Sequence, residues 1–517
     1  MNETGKAVKY FGFSTKSVNK VVQSAAVYNI GALYFEVGRF DQAIFCFEKS
    51  LDLDPGNQIY LTALYVSAQL VCDWDLLESA TPRKKNGFSR NPSGSLDAVL
   101  RRKSCVMDSF IFNDAMGDCQ PSYEGDISLM QLAKQKTAIN KPDSKVTKRI
   151  GYICSCFGNH PIGQLVSGLF RLHNRGSFDV FCYSLCPDDS SFWFETIREG
   201  SDKFVDVSSM GSFELAHLLL QDSVDILIDI DGCITLNHIN GFRPNIPECF
   251  LPPVRICLYG YQECCLLGSY THYIVDQTTI SMYDSHVPSE SIVLMPNSFV
   301  VNCFRCELDC VDSEDGWQKN VLERTNFGID DDVFVYACCH SPSKISALLF
   351  NAWMKILERV PNSILWFTSK MPHRAETHLK ERAIQNSVQE ERLIFSELAT
   401  CEEHERRCEL ADVILDCEGY ESAKVGFDAL SSGTPVISCA GSLIEQRIGA
   451  SILSASGFQS LIVDSLDGYV NLAIDLYYNE QKYISIVKDI ENFRITGTCF
   501  DSLTWTKDFE CRLASIS

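Results

Sequence analysis

The chain has 517 residues, 45% hydrophobic and 22% charged, an ordinary globular composition with material for about three or four domains. Its formal charge of -22 and pI near 4.9 exclude a general nucleic-acid binder, because neutralising a phosphate backbone takes a basic face. An anionic ligand must therefore meet a local basic pocket.

Met1 to Lys20 is polar and lacks the apolar core of a signal peptide, and no later window offers the ~18 apolar residues that span a bilayer. The expectation is a soluble protein of the cytosol or nucleus with no membrane partner. From Ser24 to Asn57, the residues Gly31, Tyr34, Ala43, Phe47 and Pro55 stand where a helix pair needs small, aromatic and breaking positions, the pattern of one tetratricopeptide repeat. One repeat cannot bury its own face, so the Leu-, Val- and Ala-rich stretch Ile59 to Leu77 is expected to supply a further helix that docks the module onto its neighbouring domain. From Pro82 to Lys148 the chain turns basic and polar and reads as a linker region.

At Arg149 the character changes. R-I-G-Y-I-C-S-C-F, F-D-V-F-C-Y-S-L, V-D-I-L-I-D-I and V-R-I-C-L-Y are strand-like apolar runs with helical segments between them. The alternation restarts at Val333–Cys339 and continues through S-I-L-W-F, R-L-I-F-S, D-V-I-L-D and P-V-I-S-C. Such alternation predicts parallel sheets, hence an α/β protein with two Rossmann-like doubly wound domains behind a short all-α module. The expected borders are 1–81 for the helical region, 82–148 for the linker, 149–327 for an amino-terminal lobe and 328–517 for a nucleotide-binding lobe with carboxyl-terminal helices. Sheets of this kind open a ligand crevice at their strands' carboxyl ends, and two facing domains make a cleft. The 24 cysteines are scattered and are expected to be reduced core thiols. Cys303, Cys306 and Cys310 form a C-x2-C-x3-C cluster without an obvious fourth ligand, open to reading as a metal site or a solvent loop.

The stretch Ala399 to Val436 points to chemistry. Val413 to Leu415 is a short apolar strand, the helix from about Val425 ends at Gly433, and Pro435 opens the next strand. A helix N-terminus at a strand's carboxyl end places unpaired N–H groups and the positive dipole end where a nucleotide diphosphate can bind. His404, Arg406 and Arg407 just upstream add charge or hydrogen bonds, and Asp428 can hold a ribose hydroxyl. Strand-loop-helix units fill every α/β protein, so this pattern does not by itself name a function.

Five segments carry a more specific likeness: F-G-N-H-P (Phe157 to Pro161), F-C-Y-S-L-C-P-D-D (Phe181 to Asp189), V-P-N-S-I-L-W (Val360 to Trp366), E-E-H-E-R-R (Glu402 to Arg407) and Q-L-V-C-D-W (Gln69 to Trp74). In order and spacing the chain resembles the protein O-GlcNAc transferase family over nearly its whole length. The resemblance implies a two-lobed GT-B glycosyltransferase that moves N-acetylglucosamine from UDP-GlcNAc to Ser/Thr hydroxyls of intracellular proteins, with inversion and without a metal ion or other cofactor. Lys344 matches the family's lysine at the departing phosphate, a role that needs a cation aimed at the leaving group. His404 and Arg407 match nucleotide contacts, Ala399 a backbone contact to the base, and Asp428 the acid that receives the ribose. His160 matches an active-site histidine, as a base or a structural hydrogen-bonder, and Asp222 an acidic position near the cleft.

The sequence also departs from the family. Where the diphosphate loop reads about N-G-H-T-T-G-M-D, this chain has E-S-A-K-V-G-F-D, Glu421 to Asp428. Side-chain hydrogen bonds are lost there, while backbone donors remain at Val425 and Lys424 brings a new cation. Leu258 to Cys265 reads L-Y-G-Y-Q-E-C-C in place of a Gly- and Pro-bearing segment, so Gln262 and Glu263 alter the sugar subsite, and F-L-P-P-V-R ending at Arg255 replaces R-P-A-P-I-Q. Two alternatives stay open: a catalytically weak or inactive relative that binds protein partners or a nucleotide, and a GDP-fucose protein O-fucosyltransferase, with E-E-H-E-R-R favouring the UDP branch.

Overall fold

The computed structural model describes residues 15, 19–80, 147–232, 251–259, 270–280, 291–303, 322–397, 399–417, 422–442, 444–497 and 500–516. In chain order the strands are β1 (Lys148–Cys154), β2 (Phe178–Ser184), β3 (Lys203–Asp206), β4 (Ile226–Asp229), β5 (Val254–Cys257), β6 (His272–Val275), β7 (Ile292–Leu294), β8 (Phe334–Cys338), β9 (Ser363–Phe367), β10 (Leu393–Phe395), β11 (Val413–Leu415), β12 (Val436–Cys439) and β13 (Ile462–Val463). The chain divides into two units, one of Met1–Gly117, Glu323–Cys417 and Leu466–Glu480, the other of Asp118–Leu322, Glu418–Ser465 and Gln481–Ser517.

The first unit begins with helices Lys20–Glu36, Phe40–Leu53, Gln58–Leu70 and Trp74–Ala80. Asn19 and Asn57 open the first and third, each accepting helix N–H groups on its side chain. Gly31 shows why the first pair packs so closely: a Cβ there would lie 2.7 Å from the Phe47 ring. Ala43, Ile44, Phe47, Ala63, Leu64 and Val71 close the resulting core, so the third helix covers the face that a lone repeat leaves open. The module is tied to the α/β part of the same unit: Arg374 pairs with Asp41 and Asp73, and His378 Nδ1 meets the Val71 carbonyl at 2.8 Å.

In that α/β part the strand order is β10-β9-β8-β11, with β8 pairing parallel to both neighbours. The inner strands β8, β9 and β11 are largely buried on both faces, as their unbroken apolar runs require, and the edge strand β10 less so. Ser346 caps helix Ala347–Arg359, whose Trp353 and Phe350 fill the layer above the sheet.

The second unit holds a seven-stranded sheet of order β3-β2-β1-β4-β5-β6-β7, with parallel pairing throughout, and the parallel pair β12–β13. Asp276, at the end of β6, accepts from the Phe299 N–H and from the Ser451 hydroxyl, which fastens helix Ile448–Ala455 to this unit. Helix Ser422–Ser432 packs on the short helix Pro161–Val166. No described helix is long and apolar enough to cross a membrane.

Candidate functional site

The order β10-β9-β8-β11 means that the chain runs outward from β8 through β9 to β10 and then returns past β8 to form β11. The strand order reverses between β8 and β11, and sheets of this kind bind ligands at the carboxyl ends of the strands where the order reverses. Val413 lies opposite Tyr336 and Ile414 opposite Ala337, which brings the residues after Cys338 and after Leu415 together. There His340 Nε2 stands 3.0 Å from Asp416 Oδ1, both side chains buried, and the Tyr469 hydroxyl donates to the Asp416 carbonyl at 2.9 Å.

Lys344 ends the 3-10 turn Pro342–Lys344 that lies beyond β8, and only 8% of its surface is exposed. The turn is held from the helical module. Gln69 donates from Nε2 to the carbonyls of Ser343 and Ile345, each at 3.0 Å, and Trp74 donates from Nε1 to Ile345 O at 3.2 Å. Both Gln69 partners are acceptors, so the amide nitrogen must face them. The Q-L-V-C-D-W segment thus grips the backbone on either side of Lys344, a contact between residues 274 apart in sequence.

Helix Cys401–Leu410 leads into β11, capped by Thr400 with Ala399 just ahead of it. His404 lies half-buried on this helix. Arg407 is buried and its guanidinium is engaged by protein: it donates to Thr368 O at 2.6 Å, Glu397 O at 2.8 Å and Glu403 Oε1 at 2.6 Å, and sits 5.2 Å from the Phe327 ring centroid. It ties the helix to the carboxyl ends of β9 and β10. On the helix face near His404, Cys408 Sγ is 3.9 Å from His404 Nε2 and 3.9 Å from Cys339 Sγ. The Cys339 thiol is pulled down to about 6, first by its hydrogen bond with Cys408 and then, against burial, by the charge of His404. Two of the three members of this cluster were visible in the sequence as the i, i+4 pair His404/Cys408; Cys339 needed the pairing of β8 with β11.

In the second unit, order reverses in the same way between β1 and β4. The F-G-N-H-P loop comes after β1, and the P-D-D segment after β2. Asp189 accepts from the Asn159 N–H at 2.7 Å, and Gly158, at φ +107°, leaves room for that carboxylate, since a Cβ would come within 2.5 Å of it. His160 caps helix Pro161–Val166: its Nδ1 accepts from the Ile162 N–H at 3.2 Å. A neutral ring in that position carries its proton on Nε2 and offers a donor there.

Lys424, Val425 and Asp428 all lie on helix Ser422–Ser432. Lys424 and Asp428, one turn apart, form a buried ion pair, with 8% and 1% of their surfaces exposed. Asp222 lies at the opposite, amino-terminal edge of the β1–β4 sheet, where it caps helix Ser212–Gln221. Lys203 Nζ reaches one of its oxygens at 2.5 Å and the Tyr183 hydroxyl donates to the other at 2.8 Å. Cys303 is buried, with its N–H donated to Leu165 O at 2.9 Å; Cys306 and Cys310 lie outside the described residues, as do Gln262, Glu263 and the loop 418–421.

Comparison with known proteins gives the family and the fold. Residues 126–313 and 305–509 match the model of glycosyl transferase family 41, and 24–57 match a tetratricopeptide repeat. A probable UDP-N-acetylglucosamine–peptide N-acetylglucosaminyltransferase, SEC of Arabidopsis thaliana, is 32% identical over 366 residues, 70% of this chain and 36% of the relative. The UDP-N-acetylglucosamine–peptide N-acetylglucosaminyltransferase of Caenorhabditis elegans is 23% identical over 70% of this chain and 40% of its own length. The chain thus spans well under half of these curated relatives. A mutant O-GlcNAc transferase from Thermobaculum terrenum shares the fold, with a TM-score of 0.67 at 17% identity over 99% of this chain and 98% of that one. Its sheets, its repeat and these matches together make this chain a member of glycosyl transferase family 41.

Proposed function

We propose that the protein transfers N-acetylglucosamine from UDP-GlcNAc to serine or threonine hydroxyls of cytosolic or nuclear proteins. The observation that carries this reading is Lys344, a buried lysine whose turn is clamped by Gln69 through the carbonyls on either side of it, at the reversal point of the β8–β11 sheet. The acceptor oxygen attacks the anomeric carbon as the bond to the diphosphate oxygen breaks, inverting the centre; the electron pair leaves with UDP and the hydroxyl proton leaves to water. Lys344 neutralises the charge that develops on the leaving group, worth most where water is excluded.

His404 contributes a nucleotide contact and Ala399 a backbone contact to the base, while Arg407 acts one step removed, holding their helix against β9 and β10. With Nδ1 committed to the Ile162 N–H, His160 is in this reading the hydrogen-bonder that shapes its loop and not the base. Asp222 has no chemical task in this reading, since Lys203 and Tyr183 take both its oxygens.

One observation favours a second reading. Lys424 pairs with Asp428 Oδ1 within the helix, so a diphosphate must compete with that carboxylate for the buried ammonium. A family member with that barrier binds its donor weakly or serves as a scaffold. Thermal-shift titration with UDP, UDP-GlcNAc, GDP and GDP-fucose separates the cases: stabilisation by the uridine ligands supports the first reading, none favours the scaffold, and a guanosine preference moves the assignment to fucose. Lys344→Met should then lower transfer by about 10²–10³-fold without lowering the melting temperature. Undiminished transfer by that variant refutes the role given to Lys344.

A further inference from the structure

Cys339, His404 and Cys408 lie within the first unit and bring two thiols and an imidazole to one point. His404 and Cys408 share one face of helix Cys401–Leu410, and Cys339 comes directly after β8. The Cys408 sulfur is 3.9 Å from the Cys339 sulfur and 3.9 Å from His404 Nε2, and the three donor atoms all lie within 4.8 Å of one another. Around a tetrahedral Zn²⁺, with Zn–S about 2.3 Å and Zn–N about 2.0–2.1 Å, neighbouring ligand atoms stand about 3.5–3.8 Å apart. Two of the three separations therefore need to close by only a few tenths of an ångström. Among the described residues no other three His, Cys, Asp or Glu side chains meet this spacing. The frame is rigid as well: Arg407, between the two helix ligands, is anchored to Thr368 O and Glu397 O, the kind of support that keeps ligands oriented. The two thiols are buried and His404 is half-exposed, which provides a way in from solvent.

We infer that Cys339, His404 and Cys408 form a binding site for a thiophilic divalent cation of the Zn²⁺ class, its fourth position left to water. The ion bonds to the two sulfurs and to His404 Nε2, and each thiol gives up its proton to solvent as it binds. One consequence rests on the nucleotide role proposed for His404: a ring held by metal is withdrawn from the nucleotide, so the ion opposes UDP binding. The cation is then an inhibitor of transfer and takes no part in it.

The test uses the full chain, kept reduced, stripped with EDTA and titrated with Co²⁺ and then Zn²⁺. Wild-type protein should show thiolate-to-cobalt charge-transfer absorption that Zn²⁺ abolishes. Cys339→Ser and Cys408→Ser should each lose that band and about one equivalent of metal, which distinguishes the site from the other cysteines. His404→Gln should weaken uptake by about 10–100-fold, and, lying on a half-exposed position, it decides the matter if the buried-thiol variants fail to fold. Unchanged cobalt spectra and stoichiometry in His404→Gln and the foldable serine variants overturn the inference. So does a Cys339–Cys408 disulfide recovered by mass spectrometry from protein that takes up no metal once reduced. Zn²⁺ should also diminish thermal stabilisation by UDP in wild type and not in Cys339→Ser. Metal bound at the cluster with UDP stabilisation intact would leave the site standing and remove His404 from the nucleotide.

Discussion

Replacing Gln69 by methionine keeps the length of the side chain and deletes both hydrogen bonds that hold the turn carrying Lys344. Gln69 is buried, and so are Ser343 and Ile345, so water cannot readily replace the lost donors. A buried carbonyl left without a partner costs about 1–3 kcal/mol. Ile345 O retains the Trp74 indole N–H at 3.2 Å, so its share falls at the lower end, and the two together come to about 2–4 kcal/mol. At about 2–4 °C per kcal/mol for domains of 150–250 residues, the first unit should melt roughly 4–16 °C earlier. Calorimetry or circular dichroism measures that shift, and hydrogen exchange should show faster exchange at the amides after β8 than elsewhere in the unit. If the enzyme reading holds, displacement of Lys344 by about 1 Å also costs transfer ~10²-fold. A Gln69→Met protein with wild-type melting and wild-type exchange around residues 340–350 would refute the idea that the helical module positions this turn.

Asp428→Ala strands a buried ammonium and should cost about 3–5 kcal/mol in chemical denaturation, whereas Lys424→Met combined with Asp428→Leu should recover most of it; equal losses in the single and double variants would mean that the pair is not the relevant interaction. Gly31→Ala drives a methyl group to within 2.7 Å of Phe47 and should destabilise the helical module by about 1–3 kcal/mol, read from its urea midpoint, and a neutral result would show that the helices can move apart freely. Stability should also decline in acid through His173 and Glu510, which meet at 2.9 Å in the second unit. Burial holds His173 below its usual 6.5 despite the neighbouring carboxylate. Glu510 is likewise held below 4.5: burial pushes it up, but the hydrogen bonds from His173 and the Asn174 N–H outweigh that. Both groups bind protons more tightly in the unfolded chain, so their contribution is present above about pH 6.5, fades first as His173 protonates and then, below about pH 4.5, as Glu510 does. Melting temperatures from about pH 7 down to about pH 5 should fall more steeply in wild type than in His173→Gln, and parallel curves would count against this account.

Much of the fold could be read along the chain, because the signals that specify it are local. Apolar runs alternating with helical periodicity predicted parallel sheets, and the structure has them. Gly31 and Phe47 marked a close helix pair, and the third helix covers that pair as the repeat pattern required. The F-G-N-H-P and P-D-D segments each pointed to a functional loop, but their interlocking through Gly158 and Asp189 depends on β1 and β2 lying side by side. Arg407 illustrates the limit most clearly. Its place in E-E-H-E-R-R indicated a ligand contact, yet burial leaves its guanidinium bonded to carbonyls that only the folded sheet delivers.

The sequence by itself therefore determined the family, the alternation of strands and helices, the lone repeat and the identity of Lys344 as the cation to examine, since each of these is written in periodicity or in contiguous motifs. Tertiary structure decided how the charges are used. Lys424 is committed to Asp428, Asp222 to Lys203 and Tyr183, and the turn of Lys344 to Gln69 and Trp74, while Cys339 joins His404 and Cys408 from a distant strand. The physical reason is that a buried polar or charged group must find a partner, and the nearest partner in space is chosen by strand order and helix packing that no short stretch of sequence encodes.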